Sequence, residues 1–123
     1  MAGDSNRRRR VAELLKRELA ILVQQELDDP RVHGVTITAV EVSADLSSAK
    51  IYFTTLAEGE EAEQAAVALN KAAGFLRRAL LHRVVLRSVP QLRFRFDESV
   101  KKGAALTGLI ERAIAEDSEH KIE

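Results

Sequence analysis

Residues 60–86, EEAEQAAVALNKAAGFLRRALLHRVVL, form the longest helical pattern in the chain, and where that pattern breaks decides the fold. Unbroken, it would run roughly 40 Å at 1.5 Å per residue. A domain of this length has a radius of gyration of only about 14 Å. Such a rod would overhang the body and leave leucines and valines in water, so a break is predicted. Gly74, within Lys71-Ala72-Ala73-Gly74-Phe75, is the expected site, because glycine is poor in helix interiors. Glu60, Glu61 and Glu63 at the start suit the positive end of a helix dipole.

Upstream, VTITAVEV (35–42) is β-branched and strand-like. Its apolar residues change parity, with Val35 and Ile37 on one and Val40 and Val42 on the other, as a bulge would produce. Residues 43–48 are turn-forming by composition. The second strand, 49–56, sets Ile51 and Phe53 against Lys50 and Tyr52, and the pair reads as an antiparallel hairpin. Downstream, Pro90 precedes a third strand, Leu92 to Phe96. Here Leu92, Phe94 and Phe96 point inward and Arg93 and Arg95 outward.

A helix is expected from Arg7 to Leu27, since Val11, Leu14, Leu15, Leu19, Leu22 and Val23 recur at three- and four-residue spacing. Ser5 or Asn6 can cap its start and Pro30 ends it, which makes Asp28-Asp29-Pro30-Arg31 a terminating turn. A last helix is expected over 99–116. The order α-β-β-α-(kink)-α-β-α describes one α+β domain, core about 6–115, with helices on one sheet face and an open opposite face.

The 123 residues are one domain's worth, and 46% hydrophobic content supports a single core. Without cysteine, disulfide frameworks, thiol catalysis and cysteine-based zinc sites are excluded, and a reducing compartment is expected. No stretch is apolar enough to span a membrane, and the basic start lacks the apolar region of a secretory signal. His33, His82 and His120 are scattered, so no metal site is expected. Gly103 to Gly108 lacks the Lys-Ser/Thr of a phosphate loop, and no serine stands in a nucleophile elbow. Catalysis and cofactors are not expected.

The net charge is zero, but the charges are segregated. Lys71, Arg77, Arg78, Arg83, Arg87, Arg93 and Arg95 follow one another with no acid between. Arg7, Arg8, Arg9, Arg10, Lys16 and Arg17 face only Glu13 within 7–17, and Arg7 to Arg10 lie at the wrong helix end for the dipole, as a phosphate-binding arm would. A neutral protein with a basic side has the field of a basic one. A helix starting near Phe75 would offer first-turn amides together with Arg77 and Arg78 as a phosphate seat. Arg83 and Arg87 would extend its stripe, and the Arg93/Arg95 strand would widen it. Phe53, Phe94 and Phe96 fall on core faces, so RNA recognition is expected to rest on backbone charge and shape more than on base stacking. Two other readings fit a bent basic helix pair: a helix-turn-helix-like DNA binder, and a protein-interaction domain for an acidic partner.

The motifs DPR (29–31), VTITAVEVS (35–43), DLSSAKIY (45–52), LNKAAGFLR (69–77) and PQLRF (90–94) together resemble the ribosome-binding factor A family, in its order and spacing, over roughly 6–115. The resemblance implies a KH-type-II-like fold in which an Ala-x-Gly kink, here Ala72, Ala73 and Gly74, replaces the Gly-x-x-Gly loop. It also implies a monomeric cytoplasmic protein with no catalytic activity. Such a protein binds the free or immature small ribosomal subunit and its rRNA, assists 5′-end maturation of that rRNA, and matters most in the cold.

Overall fold

The computed structural model of the chain describes residues 2–56, 59–86 and 88–98. The helix expected over 99–116 lies outside them.

Helix α1 spans Ala2–Glu26 and is followed by a 3-10 turn, Pro30–Val32. It starts earlier than expected, so Ser5 and Asn6 are helical residues and not caps. Once Val11, Leu15, Leu19, Leu22 and Val23 are buried, each further residue adds a hydrogen bond at little cost, and no proline stops the helix toward its start. The predicted terminating turn is built by Asp29. Its carboxylate accepts from the Arg31 backbone N–H at 2.9 Å and pairs with the Arg31 guanidinium at 2.8 Å. Gly34, at φ 81°, then turns the chain into the sheet.

Strand β1 (Thr36–Val42) and strand β2 (Ser48–Thr54) form the expected antiparallel hairpin. The register shifts between Ile37 and Ala39, which is the bulge that the parity change called for. In the turn, Asp45 Oδ1 accepts from the Ser43 hydroxyl (2.7 Å), the Ser47 hydroxyl (2.7 Å) and the Ser47 N–H (3.1 Å). Strand β3 (Gln91–Phe96) pairs parallel with β2, Ile51 opposite Phe94, in the order β1-β2-β3. Parallel strands need a long crossover connection, and the helical stretch between β2 and β3 supplies it.

Helices α2 (Glu60–Lys71) and α3 (Ala73–Arg83) replace the single rod. The break is real but falls at Ala72, with Gly74 inside the first turn of α3. Tertiary contacts place it there. The Asn70 side-chain amide donates to the Phe94 carbonyl (3.0 Å) and accepts from the Phe94 N–H (2.8 Å), which fixes the end of α2 on β3. Leu76 and Leu80 must then reach the core, so the chain turns between these anchors. Helix α3 stops at Arg83, three residues before the expected end at Leu86. Val84 is already extended, and β-branched Val84-Val85 resists the helix.

All three helices cover one face of the sheet. Ile37, Ile51, Phe53, Leu92 and Phe94 meet Leu15, Leu19, Leu69, Leu76 and Leu80 in one core. The Phe53 and Phe96 rings pack edge to face at 5.8 Å.

Candidate nucleic-acid interface

Among the described residues, three basic surfaces emerge, each fixed by a different element. The first is the start of α1, where Arg7, Arg8, Arg9 and Arg10 are all exposed. Four consecutive helical residues fan around the axis. Arg8 and Arg9 border a depression with Val40, Glu41 and Val42, while Arg7 borders another with Leu46, Ser88 and Pro90. They form the end of a helix here, not a separate arm.

The second is the bend. Lys71 closes α2, Arg77 and Arg78 lie on α3, and all three are exposed. Helical hydrogen bonding flanks the bend, with Ala72 N–H bonded to the Ala68 carbonyl (3.1 Å) and Leu76 N–H to the Ala72 carbonyl (2.9 Å). The two bonded amides bracket the first turn of α3, which lies beside these cations. Gly74 has an ordinary helical conformation and lacks a side chain in the way of Arg78, whose Nη1 lies 4.0 Å from where a Cβ would sit. The arginines differ in their freedom. Arg77 Nε donates to the Val89 carbonyl at 2.9 Å, so this residue ties α3 to the segment entering β3. Arg83 Nε donates to Glu18 on α1 at 2.7 Å, and Arg17 approaches the same carboxylate at 3.7 Å. One acid thus meets two guanidiniums, leaving local positive charge but constraining Arg83. Among the described residues, no carboxylate pairs with Lys71 or Arg78.

The third is the open sheet face. Alternation turns Arg93 and Arg95 away from the helices, beside Lys50 and Tyr52 on β2. The Tyr52 hydroxyl donates to Glu41 at 3.3 Å; burial and the Glu41 charge hold its proton more tightly than usual, while Arg95 opposes this. At the rim, Thr38 donates to the Asp97 carboxylate at 2.6 Å.

The single continuous stripe expected from the sequence is therefore not formed. Leu92 and Phe94 point to α3, so Arg93 and Arg95 point to the other side of the molecule. Arg83 closes α3, and Arg87 lies outside the described residues. Lys71 and Arg78 lie on either side of the bend, both exposed.

Sequence reasoning passed over two residues. Phe75, in the first turn of α3, is exposed rather than packed in the core. Its position four residues after Lys71 and three before Arg78 is readable in the sequence. Asn70 gave no local signal, because its partner lies 24 residues away.

A family model described as ribosome-binding factor A matches residues 7–110. The chain is 53% identical over 122 residues to a ribosome-binding factor A of Pseudomonas fluorescens (strain SBW25), covering 98% of this chain and 93% of that protein. It is similar to the crystal structure of ribosome-binding factor A from Thermus thermophilus, with a TM-score of 0.65 and 36% identity over 72% of this chain and 93% of that one. It is also similar to a Thermus thermophilus ribosome binding factor A homology model fitted into the cryo-EM map of a 30S complex (TM-score 0.60, 37% identity, 71% of this chain and 91% of that one).

Proposed function

The chain belongs to the ribosome-binding factor A family, and we propose that it binds the free or immature small ribosomal subunit through its rRNA and assists late maturation, including processing of the rRNA 5′ end. On this reading the protein acts as a cytoplasmic monomer, by binding and not by catalysis, and its loss is felt most in the cold. The observation that carries the reading is the pair Lys71 and Arg78, exposed on adjoining helices and free of carboxylates among the described residues. Unpaired cations held on rigid helices are already ordered for a polyanion, and each phosphate contact releases a counterion. Likeness to a chain fitted into a 30S complex supports the choice of the small subunit as the polyanion.

The bend also bears on the DNA-binding alternative. A helix-turn-helix needs a turn of about three or four residues to cross its helices, whereas α2 and α3 are separated by Ala72 alone.

The test is co-sedimentation of the Lys71→Ala/Arg78→Ala protein with free small subunits over a salt series. These residues are preferred to Arg77, whose loss would also release the Val89 carbonyl. Binding should weaken, and the slope of log K against log salt should flatten by about one unit per lost contact. Wild-type retention and slope would remove the bend from the interface. Small-subunit rRNA with unprocessed 5′ ends should accumulate in cells carrying the double variant at low temperature, read by primer extension.

A further inference from the structure

The surface of the bend holds one group that phosphate binding does not use. Phe75 is 42% exposed and is not among the side chains packed against the core. Residues three and four apart on a helix are neighbours. Arg78 is therefore the neighbour of Phe75 on α3, with His82 following one turn beyond, and Lys71 ends α2 on the other side of the bend; all are exposed. The bend between the two helices is the single residue Ala72. The Arg78 guanidinium lies back along the first turn of α3, its Nη1 4.0 Å from where a Cβ on Gly74 would sit.

An isolated exposed phenylalanine would mean little, since much of any protein surface is apolar. This one shares α3 with Arg78 and follows Lys71 across the bend, and no acid neutralises either cation among the described residues. That arrangement matches what an unpaired nucleotide offers: a flat base face to stack on a ring, and phosphates on either side for the cations. A duplex offers the phosphates but keeps its base faces stacked on one another. We propose that Phe75 stacks on an unpaired RNA base, so that the α2–α3 bend distinguishes single-stranded from double-stranded rRNA. This rests on the RNA-binding reading above and adds one stacking contact to recognition that the sequence led us to expect mainly from charge and shape.

The chain contains no tryptophan, so Phe75→Trp introduces the only indole in the protein. The probes are an unstructured oligoribonucleotide, a fully paired RNA hairpin of the same base composition, and free small subunits. The unstructured RNA should quench the indole emission of the Phe75→Trp variant, and the hairpin should not. Phe75→Leu, checked for folding by circular dichroism, should lose roughly tenfold or more in affinity for the unstructured RNA while its hairpin affinity changes less than about twofold. Equal binding of wild type and Phe75→Leu to both RNAs, or equal quenching by both, would overturn the stacking role. If wild type binds free small subunits while those results are obtained, the assembly-factor reading stands and only the stacking falls. If wild type fails to bind small subunits at all, both fall.

Discussion

Asp29 and Asp45 show how single side chains carry local order. Each carboxyl is held down from the usual 3.8 to about 2, Asp29 by its hydrogen bonds and ion pair with Arg31, Asp45 by the Ser43 and Ser47 hydroxyls and the Ser47 N–H. A carboxylate with a depressed folded-state pKa adds stability that is fully present above its unfolded pKa, near 4. That stability is lost as pH falls toward 2. The melting temperature should therefore drop between pH 4 and pH 2. Asp29→Asn should lower it at pH 7 and converge on wild type near pH 2, read by thermal melts across pH. A constant offset at every pH would show that the ionised form of Asp29 contributes nothing. High salt should shrink the difference, because both groups are exposed. Asp29 before a proline was legible as a terminating turn, since helix-stop chemistry is local. Its bond to Arg31 is equally local and could have been read with it.

At the scale of the element, the bend divides what sequence shows from what it hides. That α2–α3 must break followed from length alone; where it breaks did not. Glycine is the obvious hinge by propensity, yet Gly74 is helical and the turn is at Ala72, where the Asn70 clamp meets the demand to bury Leu76. A contact between residues 24 apart overrode a local preference. Two substitutions test this account. Gly74→Ala should stabilise the protein by about 0.5–1 kcal/mol, because a helical glycine costs chain entropy and the added Cβ meets only Arg78 Nη1, at 4.0 Å. A hinge glycine would respond with a loss. Asn70→Ala should cost roughly 1–3 kcal/mol by stranding the Phe94 N–H and carbonyl on the outer edge of β3. Urea denaturation measures both. The hairpin, its bulge and the inward face of β3 were legible because period-two alternation is written in neighbouring residues. The end of α3 at Arg83 was not, since it depended on the β-branched pair at 84–85.

For the whole molecule, charge segregation along the chain was legible, but its distribution in space was not. The alternation of β3 placed Arg93 and Arg95 on the open face from the start, and the expectation that they widen the α3 stripe did not fit that placement, since α3 lies on the other side of the sheet. Arg93 and Arg95 belong to the sheet face opposite the helices, although Asn70, next to Lys71, bonds the Phe94 backbone between them. Effects of substitutions more than about 7–10 Å apart, without shared partners, add to within about 0.3–0.5 kcal/mol. If rRNA wraps both faces, Arg78→Glu and Arg95→Glu should each weaken binding to small subunits and each flatten the salt dependence. The double variant should then show the sum of the two losses. If only the helical face touches rRNA, Arg95→Glu should leave both affinity and salt slope at wild-type values, and the double variant should match Arg78→Glu. Fluorescence anisotropy with labelled protein and free small subunits, repeated across a salt series, separates the two outcomes. A one-faced result would assign the Lys50, Tyr52, Arg93 and Arg95 surface to something other than rRNA. A two-faced result would mean that the protein fills a cleft in the particle, which a factor resting on its outer surface would not do.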